Sequence, residues 1–190
     1  MPILGTLLKN KRAGETNLAW NLPALAGPEA LTLHSADFPH GGDIPQVHAG
    51  KHAGGQNRSP ALTWTGVPAG TAQLLLVIQD VDSPTSIPFV HCAALLEPDV
   101  DALPAGGLNA GSPAAGVRLL RSGMGRGYVG PAPIKGHGPH RYVFQLFAYA
   151  TPVTSVDGAA ALEKAKPTAV LAAVPGPVLA RGRLDGLYTR

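Results

Sequence analysis

Hydrophobic and polar positions alternate most regularly over residues 141–149. There Tyr142, Phe144, Leu146 and Ala148 repeat at period two and share one face of a predicted strand. Residues 74–78 read Leu-Leu-Leu-Val-Ile and stop at Gln79-Asp80. An apolar run so short and sharply bounded predicts a central strand buried on both faces rather than a helix. Residues 89–96 form a second apolar strand candidate. Residues 61–65 alternate between Ser59-Pro60 and the turn residues 67–70, and 31–35 form a short first strand. The Pro-, Gly- and Ala-rich segment 98–116 reads as a long loop. Residues 159–165 and 168–174 are rich in Ala and Leu. Pro167 suits a first helical position and Gly176-Pro177 a stop, so one or two short helices are expected before a last strand near 184–189. Residues 1–30 carry no clear periodicity and are read as an extended arm ahead of a single domain over 31–190.

Composition supports this β-rich picture. The 190 residues include 24 Gly and 19 Pro without a Gly-X-Y period, which places many turns between apolar runs. With 45% hydrophobic and 14% charged residues the chain can bury a core without a disulfide or structural metal. One cysteine, Cys92, excludes an intrachain disulfide and fits a reducing compartment. The first dozen residues place their charges, Lys9, Lys11 and Arg12, after the apolar stretch, the reverse of a secretory signal. No run of about 18 apolar residues occurs. A soluble, cytoplasmic protein with at most peripheral lipid contact is therefore expected, and a homodimer is compatible with the sequence. The formal charge is +3, and Arg118, Arg121, Arg126, Lys135 and Arg141 fall in one stretch. They read as a solvated face able to attract anions. No exposed-looking aromatics interleave them and no nucleic-acid motif is present, so no nucleic-acid partner is expected.

Most motifs lose their meaning in context. Gly125-Arg-Gly127-Tyr-Val-Gly130 spells a dinucleotide fingerprint, but Pro131 and Pro133 prevent the helix that would hold a pyrophosphate. His48 with His52, and His137 with His140, sit in Gly/Pro loops with no accompanying metal motif. No metal or cofactor is expected, and His34, His40, His48 and His52 are read as exposed loop residues. Cys92 follows His91, so in a regular strand the two point to opposite faces and form no nucleophile–base pair.

Three segments carry the remaining chemistry. Asp80-Val-Asp82-Ser-Pro84 follows the buried strand, placing two carboxylates at a strand end. His91 lies within an apolar strand. Residues 127–142, Gly-Tyr-Val-Gly-Pro-Ala-Pro-Ile-Lys-Gly-His-Gly-Pro-His-Arg-Tyr, combine glycines that allow close backbone approach with His140 and Tyr142. Together with Asn57-Arg-Ser-Pro-Ala-Leu-Thr-Trp64 and Gly66-Val-Pro-Ala-Gly70, they resemble the phosphatidylethanolamine-binding protein family in its bacterial Raf-kinase-inhibitor-like (YbhB/YbcL-type) branch. The resemblance spans roughly residues 31–190. Val81, Ser83, Cys92, Ala132 and Ile134 depart from the family pattern.

The resemblance implies a mainly β, β-rich α+β fold: a large antiparallel sheet packed on a smaller one, with short C-terminal helices. It implies a pocket of Asp80, Asp82, Pro84, His91, Gly130, His140 and Tyr142, a cis bond before Pro84, and a small anionic ligand such as phosphate or a phosphoethanolamine-like headgroup. His91 and His140 would then donate to ligand oxygens, while the two carboxylates orient the histidines or receive an ammonium. Binding without turnover is the leading expectation. The alternatives are hydrolase- or lyase-type acid–base chemistry by Asp80, His91 and His140, and a phospho-dependent, kinase-inhibitor-like interaction module.

Overall fold

The computed structural model describes residues 3–190. The strands in chain order are β1 (Thr32–His34), β2 (Gly42–Asp43), β3 (Leu62–Thr65), β4 (Gln73–Asp80), β5 (Phe89–Leu96), β6 (Ala102–Leu103), β7 (Val117–Leu119), β8 (Arg121–Ser122), β9 (Gly125–Arg126), β10 (His140–Tyr149) and β11 (Val178–Tyr188). Six of them form the main sheet in the order β2-β11-β10-β4-β5-β7. β1-β3-β6 form a smaller sheet, and β8-β9 a two-stranded ribbon. The main sheet is antiparallel except for β2, which adds in parallel to β11.

The continuous apolar run of β4 is explained by cover on both sides. Leu74, Leu76 and Ile78 pack with Leu33, Leu62, Trp64 and Leu103 of the small sheet. Leu75 and Val77 pack with Leu25, Leu162, Val170 and Leu171 on the other face. In β10, Tyr142, Phe144, Leu146 and Ala148 join the first cluster, as their period predicts, and Phe147 and Tyr149 join the second. Burying each large side chain contributes about 1.5–3 kcal/mol, which makes these two strands the centre of the fold's stability.

Two terminal segments differ from expectation. The predicted arm (its first two residues lie outside the described residues) is not simply extended. It contains a helix, α1 (Ile3–Leu8), and 3₁₀ turns at Ala19–Asn21 and Pro23–Leu25, with Leu18, Ala19 and Leu25 fully buried. Two buried glutamines of the sheet hold it down. Gln79 Oε1 accepts the Ala19 N–H at 2.9 Å and the Gln145 amide at 3.1 Å, while Gln145 Oε1 accepts the Trp20 N–H at 2.6 Å. The Arg181 guanidinium lies 4.0 Å above the Trp20 ring. Cross-chain contacts of this kind leave no periodic trace.

At the other terminus, a 3₁₀ turn (Leu162–Lys164) and α2 (Pro167–Ala172), with Pro167 in its first turn, cover the second face of the main sheet. The last strand is far longer than expected and pairs along the whole of β10. Its glycines conceal it. A Cβ on Gly182 would lie 2.5 Å from the Leu31 carbonyl oxygen, and one on Gly186 2.7 Å from Ile44, so close crossing of other segments requires them.

Candidate functional site

β4 ends, and β5 and β10 begin, at one end of the main sheet's central strands, and there a cavity of about 220 Å³ opens. Asp80, Pro84, His91, Gly130, His140 and Tyr142 all line it, with Phe89, Met124, Ala132 and Ile134 adding apolar wall. Two grooves of about 310 Å³ each lie around Ile87 and Pro88, but neither is lined by a buried titratable side chain. We place the site in the smaller cavity, where buried histidines and a carboxylate converge.

A β-bulge brings His91 there. Ile78 pairs with Cys92 and Gln79 with Val90, so His91 is the extra residue of β5. The irregularity turns its ring onto the face of Tyr142, edge-on with centroids 5.0 Å apart. Cys92 packs in the cluster on that same face, so the expectation of opposite faces for His91 and Cys92 is corrected by the bulge. Cys92 remains a core residue, its thiol pushed up to about 12 by burial.

The two cavity histidines play different parts. His91 donates from Nδ1 to the Val129 carbonyl at 2.5 Å, which leaves Nε2 with no partner among the described residues. Burial lowers its pKa below the ordinary value, against the pull of nearby Asp80. The neutral ring therefore presents a lone pair. His140 has no free nitrogen: Nδ1 meets Asp80 Oδ2 at 2.7 Å and Nε2 meets His137 Nδ1 at 2.6 Å. His137 Nε2 in turn donates to the Leu8 carbonyl of α1 at 2.8 Å. Tyr142 adds a hydroxyl that is buried with no partner among the described residues; burial first, and Asp80 next, push its pKa up.

Gly130 also lines the cavity. Its N–H donates to Asn57 Oδ1 at 2.7 Å, so it is not aimed at a ligand. A Cβ there would sit 2.2 Å from the His48 carbonyl oxygen, which fixes glycine at this position.

A model of the phosphatidylethanolamine-binding protein family matches residues 34–189. The chain belongs to that family. A UPF0098 protein of Aquifex aeolicus is 31% identical over 175 residues, covering 87% of this chain and 92% of the relative. The UPF0098 protein YbhB of Escherichia coli is 37% identical over 123 residues, covering 62% and 77%. The crystal structure of Escherichia coli YbcL, described as a member of the mammalian PEBP family, superposes with a TM-score of 0.75 at 26% identity. It covers 85% of this chain and 99% of that one. The protein is thus of the YbhB/YbcL type.

Within this phosphatidylethanolamine-binding protein frame, three expectations change. Asp82 is not among the cavity-lining residues: it pairs with Arg12 at 2.7 Å and accepts the Arg141 N–H at 2.7 Å. The Ser83–Pro84 bond is trans; the cis bond among the described residues is Gly176–Pro177. The turn is instead shaped by Asp80 Oδ1 accepting the Asp82 N–H and by the Ser83 hydroxyl bonding the Asp80 carbonyl. His48 is buried rather than exposed, with Nδ1 on the Arg58 carbonyl at 2.8 Å.

His137 and the arm residues behind it escaped the sequence reading. The only signal was the pair of histidines three apart, and their loop gave no helix or strand on which to pair them. No cluster of metal-ligand type occurs among the described residues, nor any helix long and apolar enough to cross a membrane.

Proposed function

We propose that this protein binds a small phosphorylated or otherwise anionic ligand, phosphate- or phosphoethanolamine-like, in the cavity at the end of the main sheet's central strands. The observation that carries the reading is the partnerless Nε2 of His91 beside the partnerless Tyr142 hydroxyl. Buried polar groups are almost always hydrogen-bonded, so the unpaired Tyr142 hydroxyl, on a cavity that His91 also lines, marks where a ligand belongs.

The electrostatics fit a proton-coupled mode. Burial keeps the His91 ring neutral. An arriving anion supplies the opposite charge that favours the imidazolium, and Nε2 then becomes a charge-assisted donor. Asp82, which would repel the anion, is neutralised by Arg12. The serine and threonine hydroxyls of the cavity are not set up as nucleophiles. The Ser83 and Thr85 hydroxyls bond one another at 2.7 Å, and neither is paired with a ring nitrogen.

Calorimetric titration of inorganic phosphate and phosphoethanolamine, in two buffers of different ionisation heat, tests this. Wild type is expected to take up a proton on binding. His91→Ala is expected to bind roughly tenfold or more weakly, the loss of one hydrogen bond to a charged group. Equal affinity in both proteins, or none in wild type, ends the reading.

A further inference from the structure

We infer that the His137–His140 pair holds one proton beyond those of two neutral imidazoles, and that this charge cancels Asp80 at the cavity floor so that an anion is admitted beside His91. The consequence for ligand choice rests on the anion-binding reading above; the proton does not.

The count follows from the two ends of the chain of hydrogen bonds. The Leu8 carbonyl can only accept, so His137 Nε2 carries a hydrogen. One hydrogen lies between His137 Nδ1 and His140 Nε2, 2.6 Å apart. Another lies between His140 Nδ1 and Asp80 Oδ2, 2.7 Å apart. Three contacts need three protons, and two neutral rings supply two. A protonated Asp80 would also fill the three contacts, but imidazole is the stronger base, and Asp80 Oδ1 accepts the Asp82 N–H at 2.8 Å as a carboxylate does, so the third proton is assigned to the rings.

The surroundings leave Asp80 as the counter-charge. Facing the pair are Asp80 from β4, His91 from β5, Tyr142 from β10, and Arg12 from the N-terminal segment. Arg12 is itself paired with Asp82 and donates to the Pro139 carbonyl at 3.0 Å. The Asp80–His140–His137 unit is therefore neutral rather than singly negative. His137 does not line the cavity. It acts through His140, as a positioning and charge-setting residue.

Nitrogen-15 spectra of histidine-labelled full-length protein near neutral pH test the proton directly. One of the two rings is expected to carry hydrogen on both nitrogens. Two rings with one hydrogen each would overturn the inference. Two variants test the consequence, with inorganic phosphate as the probe. In His137→Gln the amide donates to Leu8 and accepts from His140 Nε2, so the extra proton stays and affinity holds within about threefold. In His137→Leu the acceptor is gone, His140 needs only its Asp80 proton, and the floor becomes negative. Affinity is expected to fall roughly tenfold or more. A folded Leu variant binding phosphate like wild type would overturn the charge-cancelling role. If wild type binds no phosphate, the anion reading falls together with this consequence, and the ring spectra alone decide the proton.

Discussion

The two faces of the main sheet both bury polar side chains, but to different ends. On the face beneath the N-terminal turns, the Gln79 carbonyl oxygen and the Gln145 amide are engaged with each other and with the Ala19 and Trp20 N–H groups. On the face of the small sheet, Asp80, His91, His140 and Tyr142 border a cavity, and two of their polar atoms stay unpaired among the described residues. Pairing with a distant backbone fastens a segment; a buried hydroxyl left unpaired next to open volume marks a place for something else to bind.

Asp80→Ala should break this contrast most strongly. It removes the carboxylate that the buried His140 ring and the Asp82 N–H both bond, at a cost of about 3–5 kcal/mol, read as a lower urea midpoint. Gln145→Leu should cost less, about 1–3 kcal/mol, because it leaves the Trp20 N–H without its partner. Faster proteolytic cleavage within residues 9–25 should accompany it, with phosphate binding retained.

The pH dependence sharpens the cavity side. Burial sets the folded-state pKa of His91 below its ordinary value of 6.5, so the unfolded chain binds this proton more readily. The stability from this group is complete above that ordinary value and is lost as pH falls through it toward the lowered one. A fall in Tm over that window should be shallower in His91→Gln, and saturating phosphate should flatten it in wild type. Arg118→Ala, which removes an exposed pair with Glu163, should change stability by less than about 0.5 kcal/mol in the same denaturation assay, since solvent screens it.

The sequence was legible where burial imposes a period. The alternation of β10 and the unbroken run of β4 reported their own surroundings, and the Asp/His/Gly-loop segments told which loops meet at the sheet edge. It was silent where structure depends on partners far along the chain. Gln79 and Gln145 look like ordinary strand polars until the turns at residues 19–25 lie over them. Asp82 looks like a pocket carboxylate until Arg12, 70 positions earlier, claims it. His91 reaches the cavity through one extra residue in β5, which a strict period-two reading cannot register.

Gly130 has a practical bearing on changing what the cavity accepts. Its backbone is pressed against residues 48–50 and tied to Asn57, so enlarging the space on that side would tear apart a second loop. Met124, two-thirds exposed at the rim, stands free of such ties. A library seeking bulkier guests should vary Met124 and Ile134, which also lines the cavity, and leave the glycine wall alone.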